Sequence, residues 1–286
     1  MNNRVMSKTA DSPIGVFDSG VGGLSVLRAI REQMPQELVL YLGDQGHVPY
    51  GPRPLGQVRE FSESITRFLL NRGAKIIFVA CNAASAAALA YLRQTLPGTS
   101  FVGMEPAIKP AAEHTETGVV GVLATPATFQ GALFASVVER FGSGVELLRD
   151  TCPGLVQQIE LGDLDGPKTR AILTRALKPM LDRRIDTVVL GCTHYPFVIP
   201  LIREIVGEKV RVIDPAPAVA RQTKRLLDSE GHSRTGITQG EVQFFTSGDA
   251  SLLRALLPKL LGEGGSVKSI GWQGNVLVRE SVLSND

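Results

Sequence analysis

The sequence predicts an α/β protein made of two similar, doubly wound domains with mainly parallel sheets and an active site in the cleft between them. Short apolar runs alternate with longer amphipathic segments, which is the pattern of buried parallel strands each followed by a helix. This pattern begins twice along the chain, and in each half one strand ends in a cysteine. The 286 residues are enough for two domains.

The first series begins with a strand at residues 14–17 and a helix at 24–34 whose apolar residues Leu24, Leu27 and Ile30 share one face. Pro35 ends that helix. Strands are then predicted at 39–42, 76–80 and 101–104, with a Gly- and Pro-rich loop at 43–54 and a helix at 59–71.

The second series begins with a strand at residues 119–123. Helices at 130–140, 155–161 and 167–181 precede a strand at 187–190, and a strand at 210–213 and a helix at 216–228 follow. A polar loop is predicted at 229–240, a strand at 242–246 and a helix at 250–261. The tail from Gly262 has weak periodicity, so its end is expected to be poorly ordered.

Composition narrows the function classes. Hydrophobic residues make up 43% and charged residues 20% of the chain, which is typical of a soluble enzyme. A net charge of +2 does not indicate a nucleic-acid partner. Three dispersed cysteines disfavour a disulfide framework or a cysteine zinc site. There is no signal-peptide core and no apolar run of membrane-spanning length, so we expect a cytoplasmic protein without a membrane partner.

Two segments carry matched cysteines. Residues 76–85 and 187–196 each contain a short, mainly apolar run of four residues, one small residue, a cysteine, a polar residue and the start of a helix-like segment. A single cysteine at the end of a buried strand is most often a small hydrophobic residue. The matched settings of Cys81 and Cys192 favour a catalytic pair instead, whereas Cys152 lacks such a setting and is expected to be structural.

Polar residues at strand ends predict where a ligand binds, because such loops line the crevice of an open α/β sheet. The residues expected at this edge are Asp18, Ser19, Asp44, Asn82, Thr125, Thr128, Thr193 and His194.

Two thiols facing one cleft suit the reversal of configuration at a carbon acid, since a proton must leave one face and arrive on the other. A thiol has an ordinary pKa of about 8.5 and needs a proton partner near neutral pH. Asp18 could serve Cys81 in this way, and His194 could serve Cys192.

These residues are also the ones that carry a family resemblance. The motifs are Asp18-Ser19-Gly20-Val21-Gly22-Gly23, Gly43-Asp44, Pro49-Tyr50-Gly51, Cys81-Asn82, Glu105-Pro106, Thr125-Pro126-x-Thr128, Cys152-Pro153 with Glu160, and Cys192-Thr193-His194-Tyr195-Pro196. In this order and spacing, from about residue 14 to 227 and on through Ser247-Gly248-Asp249, the chain resembles the glutamate racemases.

The resemblance implies cofactor-independent racemisation of L-glutamate to D-glutamate for peptidoglycan synthesis, without a metal, in a homodimer. Cys81 and Cys192 would act on opposite faces of the α-carbon. The implied supporting residues are Asp18, His194 and Glu160, with Asp44 a less secure helper. The implied substrate-binding residues are Asp18, Ser19, Tyr50, Gly51, Asn82, Ala83, Thr125, Thr128, Thr193 and His194. Ala83 stands where the family usually has threonine, so only its backbone N–H would bind.

The resemblance also implies that residues 1–105 and 217–286 form one domain and residues 106–216 the other. Three alternatives remain at this stage. One is an aspartate racemase or related amino-acid racemase, and another is a regulatory binding protein without enzymatic activity. The third is a dinucleotide-binding protein, since Gly20-Val21-Gly22-Gly23 follows a strand. The third glycine of that fingerprint is absent, and Asp18 would place negative charge beside a pyrophosphate.

Overall fold

Two sheets organise the computed structural model, which describes residues 8–279. The strands are β1 (Ile14–Asp18), β2 (Val39–Gly43), β3 (Ile76–Val79), β4 (Ser100–Gly103), β5 (Val119–Ala124), β6 (Glu146–Asp150), β7 (Thr187–Gly191), β8 (Arg211–Ile213), β9 (Val242–Thr246), β10 (Val267–Gln273) and β11 (Val276–Arg279). The seven-stranded sheet has the order β11-β10-β9-β2-β1-β3-β4, and the four-stranded sheet has the order β6-β5-β7-β8. All pairings are parallel except β10 with β11.

Helices follow most of the strands, as the alternating pattern predicts. They are α1 (Gly23–Gln33), α2 (Leu55–Leu70), α3 (Asn82–Thr95), α4 (Ile108–His114), α5 (Pro126–Gln130), α6 (Ala132–Phe141), α7 (Leu155–Glu160), α8 (Pro167–Asp182), α9 (Ile199–Val206), α10 (Ala216–Ser229) and α11 (Ala250–Leu261), with a 3-10 helix at Tyr195–Val198. The predicted α/β class with mainly parallel sheets is confirmed. Within residues 8–279, no helix is long and apolar enough to cross a membrane.

The sheets differ in which parts of the chain they use. The larger sheet takes its strands from residues 14–103 and 242–279, and the smaller sheet takes its strands from residues 119–213. Helix α10 comes after the smaller sheet and packs on α1 beside the larger one. The chain therefore leaves the first sheet, builds the second and returns.

The strands that end at the two cysteines belong to the buried core of the protein. Every residue of β1, β2, β3 and β7 is buried. One apolar cluster contains Cys192 and extends across both sheets, and a second contains Cys81 and the other face of the larger sheet. Each thiol therefore sits against its own apolar wall.

The helix predicted at 130–140 is present as α6, and the short helix α5 precedes it across Gly131, where a Cβ would lie 2.5 Å from the Cβ of Ala86. Two other local features differ from the predictions. Strand β6 was not predicted because it is a partly exposed edge strand without apolar alternation. The tail from Gly262 contains β10 and β11, although its periodicity is weak. The disorder predicted at its extreme end concerns residues 280–286, outside the described range.

A buried ion pair joins Lys75, which directly precedes β3, to Glu37, which lies just before β2. Lys75 Nζ donates to Glu37 Oε2 at 2.6 Å and to the carbonyl oxygens of Ala10 and His232, each at 2.8 Å. The Lys75 side chain is 0% exposed and that of Glu37 is 1% exposed. Breaking such a pair leaves an unpaired buried charge, which costs more than the pair itself contributes.

We predict that Lys75→Met lowers the free energy of unfolding by about 3–5 kcal/mol, measured by urea denaturation. The matched control is Lys224→Met, since Lys224 forms an exposed pair with Asp228 at 2.8 Å and should change stability by less than about 1 kcal/mol. Adding Glu37→Leu to Lys75→Met should recover part of the loss. Equal effects of the two lysine changes would contradict this account.

Candidate active site

One pocket lies where the C-terminal ends of strands from both sheets converge. Its lining residues are Ser19, Pro49, Tyr50, Gly51, Cys81, Asn82, Ala83, Thr125, Val156, Cys192, Thr193 and His194. The first sheet contributes the ends of β1, β2 and β3, and the second contributes the ends of β5 and β7. Because the C-terminal ends of parallel strands lie at one edge of each sheet, residues that are far apart in the sequence meet in this pocket.

Both thiols reach the pocket from the residue that follows a buried strand. Cys81 has extended backbone and is the N-cap of α3, and Cys192 comes directly after β7. Gly191 lets the ends of β5 and β7 approach closely, since a Cβ there would lie 2.7 Å from that of Ala124. Cys81 is 5% exposed and Cys192 is 7% exposed. Both thiols are therefore nearly buried and line the pocket.

Asp18 and Ser19 surround the Cys81 thiol. The Cys81 sulfur lies 3.9 Å from Ser19 Oγ. Burial raises the pKa of Cys81 well above its usual value, and the negative charge of Asp18 raises it further. Burial also raises the pKa of Asp18, although the charge of His194 and a hydrogen bond from Cys81 oppose this shift. This half of the site therefore favours a protonated thiol beside a carboxylate of increased basicity.

A His–Glu pair stands behind the Cys192 thiol. His194 Nδ1 lies 3.8 Å from the Cys192 sulfur, and His194 Nε2 lies 2.6 Å from Glu160 Oε1. Burial alone would lower the pKa of His194, but the hydrogen bonds and charges of Cys192 and Glu160 outweigh burial and raise that pKa well above its usual value. The imidazole is therefore held in its protonated form beside the thiol.

Glu160 itself is held by groups from the first sheet. Its Oε1 accepts a hydrogen bond from the Val21 N–H at 2.8 Å, and its Oε2 accepts one from Gln45 Nε2 at 3.0 Å. Sequence reasoning missed Gln45. The strand-end rule could have found it, because Gln45 follows Asp44 at the end of β2.

The glycine run after β1 makes room for these side chains. A Cβ at Gly20 would lie 1.9 Å from Glu160 Oε1, and a Cβ at Gly22 would lie 2.3 Å from His194 Nδ1. Side chains at either position would displace the His–Glu pair. The glycines thus accommodate protein groups, which argues against the dinucleotide-binding alternative.

The predicted substrate-binding residues occupy two layers. Seven of them besides His194 line the pocket: Ser19, Tyr50, Gly51, Asn82, Ala83, Thr125 and Thr193. Asp18 and Thr128 are buried behind the lining; Asp18 accepts the Gly23 N–H at 2.8 Å, and the Thr128 hydroxyl lies 3.2 Å from that of Thr125. Asn82 is buried with its side-chain amide unpartnered among the described residues, so that amide is available to a ligand.

Asp44 fixes the loop that carries Tyr50. Its Oδ2 accepts hydrogen bonds from the Tyr50 hydroxyl at 2.6 Å and pairs with His47 Nδ1 at 3.0 Å. Its Oδ1 accepts from Trp272 Nε1 at 2.8 Å and from Ser247 Oγ. Asp44 acts through Tyr50 and not at the pocket surface.

The chemistry of this pocket suits proton transfer by the two thiols. Among the described residues, no cluster of three or more histidine, cysteine or acidic side chains is arranged to hold a metal ion. The lining also contains no lysine or arginine. Groups that would bind an anion here are neutral hydroxyls, amides and backbone N–H groups, together with the imidazolium of His194.

Comparison with known proteins agrees with this site. The profile of the Asp/Glu/hydantoin racemase family matches residues 14–223. The chain is 49% identical over 258 residues to the glutamate racemase of Ectopseudomonas mendocina, covering 90% of this chain and 98% of that protein. It is 47% identical over 256 residues to the glutamate racemase of Roseiflexus sp., covering 89% and 94%.

Solved structures give the same result. Glutamate racemase isoform RacE1 from Bacillus anthracis superposes with a TM-score of 0.82 at 33% identity, covering 93% of this chain and 98% of that one. Escherichia coli glutamate racemase, solved with L-glutamate and the activator UDP-MurNAc-Ala, has a TM-score of 0.80 at 30% identity, covering 92% and 100%. The chain therefore belongs to the Asp/Glu/hydantoin racemase family and, within it, to the glutamate racemases.

Proposed function

We propose that this glutamate racemase interconverts L- and D-glutamate with two cysteine bases, Cys81 and Cys192, on opposite faces of the α-carbon. The observation that carries the proposal is the presence of both thiols in one pocket, one from each sheet. Each has its own proton partner, Asp18 or His194. A substrate bound between the thiols would lose its α-proton to one and receive a proton from the other.

The two halves of the site differ in the proton partner of each thiol. The raised pKa of Cys81 keeps a proton on that thiol, whereas the Cys192 sulfur lies 3.8 Å from His194, whose pKa is raised well above its usual value. In this state Cys192 removes the α-proton from one enantiomer and Cys81 donates a proton to the other face. For the reverse reaction, Asp18 takes the proton of Cys81 and His194 returns one to Cys192.

Neutral donors would bind the substrate carboxylates. Asn82 is the first residue of helix α3 and lines the pocket, so its unpartnered side-chain amide is a donor available to a substrate carboxylate. Thr125 and Thr193 line the same pocket from the second sheet, and their hydroxyls would be further donors. Ala83 contributes no hydroxyl, and binding there would use its backbone N–H.

Three wider assignments belong to the proposal. The two sheets support a division into residues 1–105 with 217–286 and residues 106–216, because α10 packs on α1. D-glutamate would serve peptidoglycan synthesis in the cytoplasm, and the protein would act as a homodimer, as the family resemblance implies. Sedimentation velocity would test the dimer directly.

We predict that L-glutamate incubated with the protein in heavy water yields D-glutamate carrying deuterium at the α-carbon, followed by circular dichroism and mass spectrometry. Cys81→Ser and Cys192→Ser should each lower racemisation by at least about 100-fold, because a serine hydroxyl is a far weaker acid than a thiol.

Cys152→Ser is the matched control. Cys152 is also buried but does not line the pocket, so the variant should retain racemisation. Product without α-deuterium, or undiminished turnover in either Cys81→Ser or Cys192→Ser, would overturn the two-base proposal.

A second prediction follows from the raised pKa of His194. Because that pKa is higher in the folded than in the unfolded protein, the Glu160–His194 pair stabilises fully below pH of about 6.5 and loses its contribution as pH rises through the folded pKa. Wild type should exceed Glu160→Gln in unfolding free energy by about 1.5–3 kcal/mol near pH 6, with a shrinking difference toward pH 10.

The control for this prediction is Glu204→Gln. Glu204 pairs with Arg170 at 2.7 Å on the surface, and arginine does not titrate in this range. The stability difference between wild type and that variant should not change with pH. A difference for Glu160→Gln that stayed constant from pH 6 to 10 would contradict the charged imidazole.

A further inference from the structure

We propose that Gln45, itself held by Thr246, is a positioning residue that fixes the Glu160 carboxylate against His194 and thereby sets the rate of proton transfer at Cys192. This inference rests on the two-base function proposed above. Gln45 does not line the pocket, so it would act only through Glu160 and His194.

Gln45 completes the set of donors around Glu160. His194 Nε2 and the Val21 N–H occupy Oε1, at 2.6 and 2.8 Å, and Gln45 Nε2 donates to Oε2 at 3.0 Å. With a donor on each oxygen, the carboxylate cannot rotate about its last bond without losing a hydrogen bond. Without Gln45, only Oε1 would be held among the described contacts.

Thr246 determines which way the Gln45 amide faces. Thr246 Oγ1 lies 2.9 Å from Gln45 Oε1 and accepts the Gly248 N–H at 3.0 Å. Because its oxygen already accepts a hydrogen bond, its hydroxyl proton is free to donate to Gln45 Oε1. The amide nitrogen then faces Glu160, whose ionised carboxylate can only accept.

The backbone around Gln45 is equally constrained. The Asp44 N–H donates to the Asp18 carbonyl at 2.9 Å, and the Gly46 N–H donates to Ser247 Oγ at 3.0 Å. A Cβ at Gly248 would lie 2.8 Å from the Gln45 Cβ, so the end of β9 packs directly on this residue. Gln45 is therefore placed by three strand ends of the first sheet, while Glu160 belongs to α7 beside the second.

A neutral amide suits this position electrostatically. It stabilises the charge of Glu160 without a positive charge that would compete with the imidazolium of His194. The other titratable groups near the contact are Asp18 and Tyr41 in the site, whose pKa values burial and the charge of Glu160 raise, and Asp44 and His47 on the Gln45 loop, which pair with each other.

The test compares Gln45→Met with Gln33→Met. Methionine keeps the length of the side chain and removes the donor. Gln33 is a matched control, since its Nε2 donates to the Pro217 carbonyl at 2.9 Å, away from the pocket. We expect Gln45→Met to lower kcat by about tenfold or more with a smaller change in KM, and Gln33→Met to leave both unchanged. Equal behaviour of the two variants would overturn the proposal.

Isotope effects distinguish positioning from general damage. The equilibrium constant of a racemase reaction is one, so kcat/KM must fall equally in both directions. If only the transfer at Cys192 is slowed, the α-deuterium isotope effect should rise for the enantiomer that Cys192 deprotonates and fall for the other. Isotope effects that stay at their wild-type values in Gln45→Met would refute the assignment to Cys192.

Gln45→Glu provides a rescue. Its ionised form repels Glu160, whereas its protonated form donates an O–H where the amide donated an N–H. Its activity relative to wild type should therefore recover as pH falls, and that of Gln45→Met should not. Thr246→Ser keeps the hydroxyl that donates to Gln45 and should retain the wild-type kcat. Thr246→Val removes that hydroxyl and should lower kcat. Lack of recovery for Gln45→Glu would sink the inference, while undiminished turnover in Cys192→Ser would instead sink the underlying two-base function.

Discussion

The carboxylate of Glu160 is the contact on which the rest of the site depends. It belongs to α7 beside the smaller sheet, yet Val21 and Gln45, which follow strands β1 and β2 of the larger sheet, donate to it, and it pairs with His194 behind the Cys192 thiol. A buried carboxylate is unfavourable unless every oxygen is satisfied. Satisfying Glu160 therefore requires both sheets to be in place, which couples the fold to the chemistry of one thiol.

The same requirement explains the sequence around β1. A carboxylate and an imidazole can approach the β1–α1 turn only if Gly20 and Gly22 lack side chains. Asp18, in the same turn, uses Oδ2 to accept the Gly23 N–H at the start of α1 and stands beside Cys81. One short turn thus supports both thiols: through its glycines on the Cys192 side and through Asp18 on the Cys81 side.

Strand-end reasoning predicted most of the pocket lining because parallel strands deliver polar residues to one edge whatever their distance in the sequence. The same rule could have placed Gln45 at this edge but not its role, because that role depends on Thr246, some 200 positions away, and no local pattern encodes the pairing of β2 with β9. It also missed β6 and the β10–β11 hairpin, whose exposed residues lack the apolar periodicity that burial imposes. Asp18 and Thr128 were placed at the right edge, but the depth of each side chain is set by packing and not by spacing.

The asymmetry between the thiols is the last consequence of burial. Two equivalent cysteines in matched strands would hold protons equally well, and neither would be poised as a base. Here one thiol faces a carboxylate, and burial with that negative charge raises its pKa. The other faces an imidazole whose positive charge is maintained by Glu160. The proposed two-base reaction needs one acid and one base at every turnover, and the unequal partners of Cys81 and Cys192 suit that requirement better than matched strands alone would.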